Sequence, residues 1–368
     1  MTAVSSLPAP STLNPQRYAD AESFPPLTRA YIAVSQAVSE FGLLRRTPVF
    51  YALLSAALLA VLAGCLVGSA LLGASWFQLL IAAALGVLFT QVSFLAHEAA
   101  HRQILAAGPA NDRLARALGA LAGLSYSWWD SKHSRHHANP NRAGRDPDIE
   151  VDTISFLAED AANAKGLRAL ITRRQGWLFF PLLTLEGLNL HFLSFRHLLS
   201  RAPVKGRWTE LALLALRFSL LLVPLFWLLP LGMAFAFLGV QLAVFGLYMG
   251  ATFAPNHKGM PVIARDAKLD FFSKQVRTSR NISGGWWATW LMGGLNYQVE
   301  HHLFPSMPRP HLARARLIVR EHCRALDVPY TETSLWRSYG IVIAYLNRVG
   351  LAARDPFACP IASRYGRP

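Results

Sequence analysis

Charge disappears twice along this chain, from Thr47 through Ala96 and again from Phe218 through Asn256. One helical crossing of a bilayer takes about 20 apolar residues, so each stretch has room for two crossings joined by a tight turn. Gly68 to Ser75 can supply the first turn, and Leu229 to Met233, with Pro230 and Gly232, the second. The pattern therefore predicts two transmembrane hairpins, at about 48–96 and 210–254.

Elsewhere the apolar positions are periodic or interrupted. Tyr31, Val34, Val38, Phe41 and Leu44 recur at close to helical period, which predicts an amphipathic helix over Leu27 to Leu44 lying on the membrane surface. A helix from about Trp76 should emerge from the bilayer where His97 and His101 begin. Arg113 to Trp129 reads as a short amphipathic helix and Arg142 to Glu150 as a loop. Gly176 to Leu199 is apolar but broken by Glu186, Asn189, His191, Arg196 and His197, which favours an interfacial helix over a crossing. Met1 to Pro26 is polar, carries no secretory signal and reads as a flexible tail; 346–368 reads as a second tail. The expectation is one domain over 27–345 in an all-α integral membrane protein, with four transmembrane helices in two hairpins beneath a helical cap.

Composition supports that class: 53% of residues are hydrophobic and 15% charged, too apolar for an ordinary soluble domain of this length. Both predicted turns lack charge, whereas Arg45 and Arg46 precede the first crossing and Arg173, Arg174, Arg201 and Arg207 lie between the hairpins. The positive-inside rule then places the cap and both termini in the cytoplasm. A net charge of +15 suits anionic lipid headgroups, an acidic redox partner or an anionic acyl carrier. The basic residues form no nucleic-acid motif, so nucleic acid is not an expected partner. Cys65, Cys323 and Cys359 are isolated, giving neither a disulfide framework nor a thiolate metal site.

The histidines carry the chemistry. His97 and His101 stand at i and i+4 in His-Glu-Ala-Ala-His, and His133, His136 and His137 form His-x-x-His-His, so each set shares one helical face. His301 and His302 close Gln298-Val299-Glu300-His301-His302, and His257 follows the last crossing. Each position lies at the end of an apolar element, so all can converge at one depth. Eight imidazoles exceed what one tetrahedral metal can use, which implies two metals. Nitrogen ligands alone suit zinc, iron or copper without choosing among them.

These three boxes resemble those of the membrane fatty acid desaturase family, in the subgroup whose third box opens with Gln. The similarity spans roughly His97 to Pro305 and extends to the runs Trp128-Trp129-Asp130-Ser131-Lys132 and His301-His302-Leu303-Phe304-Pro305. The resemblance implies a cytoplasmic di-iron centre that uses O2 to place a double bond in an acyl chain carried by CoA or a membrane lipid. It implies His97, His101, His133, His136, His137, His301 and His302 as iron ligands, with His257 as an eighth. Gln298 stands where related acyl-CoA enzymes have His, leaving a coordination position for water, Gln298 or His191. It also implies a separate electron donor, such as a ferredoxin or a cytochrome b5-like protein with its reductase.

Glu98 and Asp130 beside the boxes could orient imidazoles or be solvated carboxylates. Trp128, Trp129, Trp286 and Trp287 could line an acyl path or sit at the interface. His191 and His197, on the interrupted apolar segment, could reach the metals; His311 and His322 receive no role. The small residues Ala83, Gly86, Gly246 and Gly250 would leave room for the closed end of an acyl tunnel. Two enzyme readings compete: a di-iron lipid hydroxylase with the same boxes, and an intramembrane zinc protease, since His97-Glu98-Ala99-Ala100-His101 also matches His-Glu-x-x-His. The protease would leave most other histidines unexplained. A metal transporter is disfavoured by crossings with almost no ionisable residues.

Overall fold

The computed structural model describes residues 26–353. Four of its helices are long and apolar enough to cross a membrane: α2 (Pro48–Leu72), α3 (Gln78–Ala100), α10 (Arg207–Leu228) and α11 (Leu231–His257). Around them in chain order lie α1 (Pro26–Glu40), α4 (Gly108–Ala122), α5 (Tyr126–Ala138), α6 (Ala158–Ala162), α7 (Gly166–Thr172), α8 (Gln175–Leu183) and α9 (Glu186–Leu198). After α11 come α12 (Phe271–Thr278), α13 (Trp286–Leu291), α14 (Gln298–Leu303), α15 (Arg309–Ala325) and α16 (Leu335–Gly350).

The α2–α3 turn falls at 73–77, later than its predicted start, because α2 continues to Leu72. Gly73 ends α2 with φ +51°, and Gln78 closes the turn by donating from Nε2 to the carbonyls of Ser69 (2.8 Å) and Gly73 (2.9 Å). Only Leu229 and Pro230 separate α10 from α11, with Pro230 capping the start of α11. α10 nevertheless leans mainly on α4, where Arg217 donates to Leu121 O at 2.7 Å, while α11 packs against α3. At Gly86 the two backbones are so close that an added Cβ would meet Gln241 O and Val244 Cβ at 2.8 Å.

Several expectations are corrected. The apolar stripe of α1 is covered by protein: Val34, Ala37 and Val38 are buried against Phe272, Val276, Val299 and Leu312, so the stripe is part of a hydrophobic core. The predicted helix over Arg113 to Trp129 is divided at Gly123, whose φ of +87° ends α4 and where a Cβ would collide with the His191 ring. Gly176 to Leu199 forms two helices, α8 and α9, bent by 73°.

The all-α expectation also missed a small parallel sheet, in which β1 (Arg280–Ser283) pairs with β2 (Thr331–Ser334) in the register Arg280 to Thr331. Four-residue strands are too short for a period-two pattern to declare itself. The expected tail at 346–368 begins inside α16, whose Leu346 and Val349 are buried. From residue 354 that tail, like the N-terminal one up to residue 25, lies outside the described residues.

Candidate metal centre

Each histidine box is delivered by an element fixed in its own way. His97 sits in the last turn of α3, with His101 as its C-cap. α5 begins at Ser125, whose hydroxyl accepts from Trp128 N at 3.2 Å. The Glu210 carboxylate accepts from the Ser125 and Ser127 hydroxyls (2.6 and 3.0 Å) and from Ser127 N (3.2 Å). An anion there complements the positive end of the helix that carries His133, His136 and His137. Six-residue α14 carries the third box on a wholly buried Glu300, which accepts from Asn281 Nδ2 (2.7 Å) and the Tyr330 hydroxyl (2.8 Å). Burial pushes the Glu300 carboxyl up to about 7.

All eight predicted histidines come together in two adjoining groups. His97, His101, His133, His137 and His301 each offer a ring nitrogen, all within 4.8 Å of one another; His136, His257 and His302 form the second set on the same criterion. The sets meet where the rings of His137 and His302 stack at 4.2 Å.

The spacing is that of donors around a metal. The Nε2 atoms of His97, His101 and His137 lie 3.1, 2.9 and 3.0 Å from His133 Nε2, which can take part in only one ordinary hydrogen bond. Metal–imidazole bonds of about 2.0–2.1 Å put nitrogens at right angles about 2.9 Å apart. His302 Nε2, on the opposite side of its ring from the Nδ1 that bonds Gln275, is buried without a hydrogen-bond partner. An orphaned nitrogen in an all-nitrogen cluster fits metal binding. Burial, reinforced by neighbouring imidazoles, holds His133, His137, His301 and His302 well below the usual histidine range, so their lone pairs stay free.

The groups that orient the rings were not the ones expected. His136 Nδ1 donates to Asp146 Oδ1 at 2.9 Å, and Asp146 also accepts from the backbone N of Asn141 and Asp148. Burial alone would lower His136, but Asp148 and Asp146 outweigh it and raise its pKa. His302 Nδ1 donates to Gln275 Oε1 and His257 Nδ1 to Thr278 O, each at 2.9 Å, which turns the Nε2 atoms inward. Asp146 closes the Asn139-Pro140-Asn141 turn just after the second box; that closeness was its only signal in the sequence.

Glu98 orients no imidazole. Its carboxylate is bound by Arg309, with the Tyr51 hydroxyl at 3.4 Å. Among the described residues Asp130 makes no hydrogen bond to a ring; the charges acting on it include Asp112, Arg102 and Arg116. Gln298 is at the site, its Nε2 2.9 Å from His257 Nε2 and its Oε1 accepting from Asn256. His191 is not: its Nδ1 donates to Gly187 O, and its ring packs edge-on against Phe218 and Phe245. Trp129 stacks on His133 at 4.2 Å, whereas Trp286 is 84% exposed.

The expected tunnel glycines are also reassigned. A Cβ on Gly246 would collide with Gly187 N and Leu183 O, and one on Gly250 with the Leu183 side chain. Like Gly86, they are small because neighbouring helices pack closely there. Ala83 is partly exposed.

A profile of the fatty acid desaturase family matches residues 74–334, a span that holds all eight clustered histidines. This chain belongs to the fatty acid desaturase family. It is 28% identical to the Delta(8)-fatty-acid desaturase of Helianthus annuus over 89% of this chain and 75% of that one. Identity with Delta(8)-fatty-acid desaturase 2 of Arabidopsis thaliana is 28%, over 80% and 69%. With human fatty acid desaturase 3 it is 30%, over 83% and 68%. The desaturase is thus an enzyme whose four apolar helices and family make it a membrane protein, and whose histidine clusters can hold metal.

Proposed function

We propose that this desaturase binds two irons, one in each histidine group, and uses O2 to place a double bond in an acyl chain carried by CoA or a membrane lipid. The observation that carries the reading is the pair of adjoining histidine groups, five and three, each with ring nitrogens within 4.8 Å of one another, and with His302 Nε2 buried and unpartnered among them. A methylene offers neither an acidic proton nor a leaving group, so its C–H bonds yield to the redox power that iron and O2 supply, not to acid–base catalysis. The protein's part is to hold its imidazoles in place: Asp146, Gln275 and the Thr278 carbonyl engage the outer nitrogens of His136, His302 and His257. Gln298, anchored by Asn256, takes a place at the three-histidine group.

Leu59, Leu66, Leu220 and Trp227 turn outward from α2 and α10, as lipid-facing residues would. With arginines flanking the spans, this supports two hairpins with the histidine site and both termini in the cytoplasm. Electrons come from a separate ferredoxin or cytochrome b5-like donor.

The zinc-protease reading needs Glu98 as a general base, but its carboxylate is buried in an ion pair with Arg309 (2.6 Å). Expression in a host lacking unsaturated fatty acids, followed by mass spectrometry of the lipids, tests the proposal. New double bonds that disappear with His136→Ala are expected. Hydroxylated acyl chains would favour the hydroxylase alternative, and unchanged lipids would overturn the proposal.

A further inference from the structure

Arg280 is among the largest fully buried side chains, only 1% exposed. Among the described residues no carboxylate lies within ion-pair distance of it. A buried charge without a counter-ion is costly and persists only where other partners satisfy it. Its partners are backbone carbonyls at the end of α11. Nε donates to Pro255 O at 2.7 Å, Nη2 donates to Pro255 O and to Lys258 O (2.8 Å), and Nη1 faces Met260 Sδ at 3.9 Å. The last carbonyls of a helix have no partner within it and carry its negative end, so a guanidinium satisfies both at once.

Between Pro255 and Lys258 lies His257. Two residues before Arg280, the Thr278 carbonyl accepts from His257 Nδ1 at 2.9 Å. Residues 278–280 therefore hold the end of α11 twice, once from side chain to backbone and once from backbone to side chain. We infer that Arg280 is a positioning residue for His257, holding the last turn of α11 so that His257 Nε2 faces His136 and His302. Arg280 touches none of the clustered ring nitrogens and acts only through α11.

The remaining anchors of β1 do not involve the guanidinium. The strand pairs with β2, Asn281 bonds Glu300 and Val299 N, and Ile282 N donates to Asn296 O. Loss of the guanidinium should therefore be felt at the three-histidine group, with the rest of the cap in place.

The inference rests on the two-metal reading above. The test strips metal from the purified full-length protein and titrates it with ferrous iron, recording stoichiometry, the affinity of each step and helical content by circular dichroism. The wild type should take up two irons. Arg280→Gln should keep its helicity and bind one iron as before and the second about tenfold or more weakly, a loss typical of a disturbed ligand-orienting partner. Arg280→Lys, which retains the charge without the fork, should fall between. Arg316→Gln, which breaks the Arg316–Glu332 pair bracing β2, should bind both irons normally. Two normal steps in Arg280→Gln, or equal weakening of both in a folded variant, overturns the inference. If Arg280→Gln does not fold, Arg280→Lys decides, and wild-type binding there overturns it. A wild type that binds fewer than two irons overturns the two-metal reading itself, and this inference with it.

Discussion

Arg309 grips Glu98 with both arms of its guanidinium, Nε to Oε1 at 2.8 Å and Nη2 to Oε2 at 2.6 Å, with both side chains buried. The pair ties the first histidine box on α3 to the start of α15, just beyond the third box. Tyr51 reinforces the tie by accepting from Arg309 N at 3.2 Å, as does Gln103 by donating to Pro305 O at 2.8 Å. Removing one partner strands a buried charge, which costs about 3–5 kcal/mol. Arg309→Met should therefore lower the thermal midpoint sharply, and Glu98→Leu combined with Arg309→Met should recover much of the loss. A single variant as stable as the wild type in a detergent melt would contradict this.

Packing glycines predict a different phenotype from tunnel glycines. Gly246→Leu drives a side chain into Gly187 and Leu183, and overpacking of this kind costs about 1–3 kcal/mol or more. The expected result is reduced folded protein in membranes, with the surviving enzyme keeping its acyl-chain-length profile. Normal yield with a shifted profile would restore the tunnel reading.

The buried imidazoles make the metal-free fold acid-sensitive. His133, His137, His301 and His302 have folded pKa values below their unfolded value of 6.5, held there by burial and then by neighbouring histidines. Groups depressed on folding contribute stability above the unfolded value that is lost as pH falls towards the folded one. His136, raised by Asp148 and Asp146 against its burial, and Glu300, raised by burial to about 7, act in the opposite sense but are two against four. The melting temperature of chelator-treated protein should fall as pH drops below 6.5. A midpoint that rises on acidification would contradict the assignment of neutral rings.

What could be read in advance was what local spacing encodes. His97 and His101, one turn apart, and the triplet at His133, His136 and His137 advertise shared helical faces, and the long uncharged runs advertise their helices. What could not be read depended on partners distant in sequence. The stripe at Val34 and Val38 marks an amphipathic helix, but periodicity does not say whether lipid or the Phe272–Val299 core covers it. Gly86 and Gly246 announce only that space is short, not whether a ligand or another helix takes it. Glu98 stands beside His97 in sequence yet answers to Arg309, while Asp146, in a loop with no periodicity, orients His136.

The two histidine groups are the heart of the proposed function, and counting their metal in working enzyme tests it most directly. Protein purified from cells in which it makes double bonds should contain about two irons per chain by elemental analysis, and His302→Ala material should contain less iron and make no double bonds. Active protein holding a single zinc per chain and no iron would contradict the proposal.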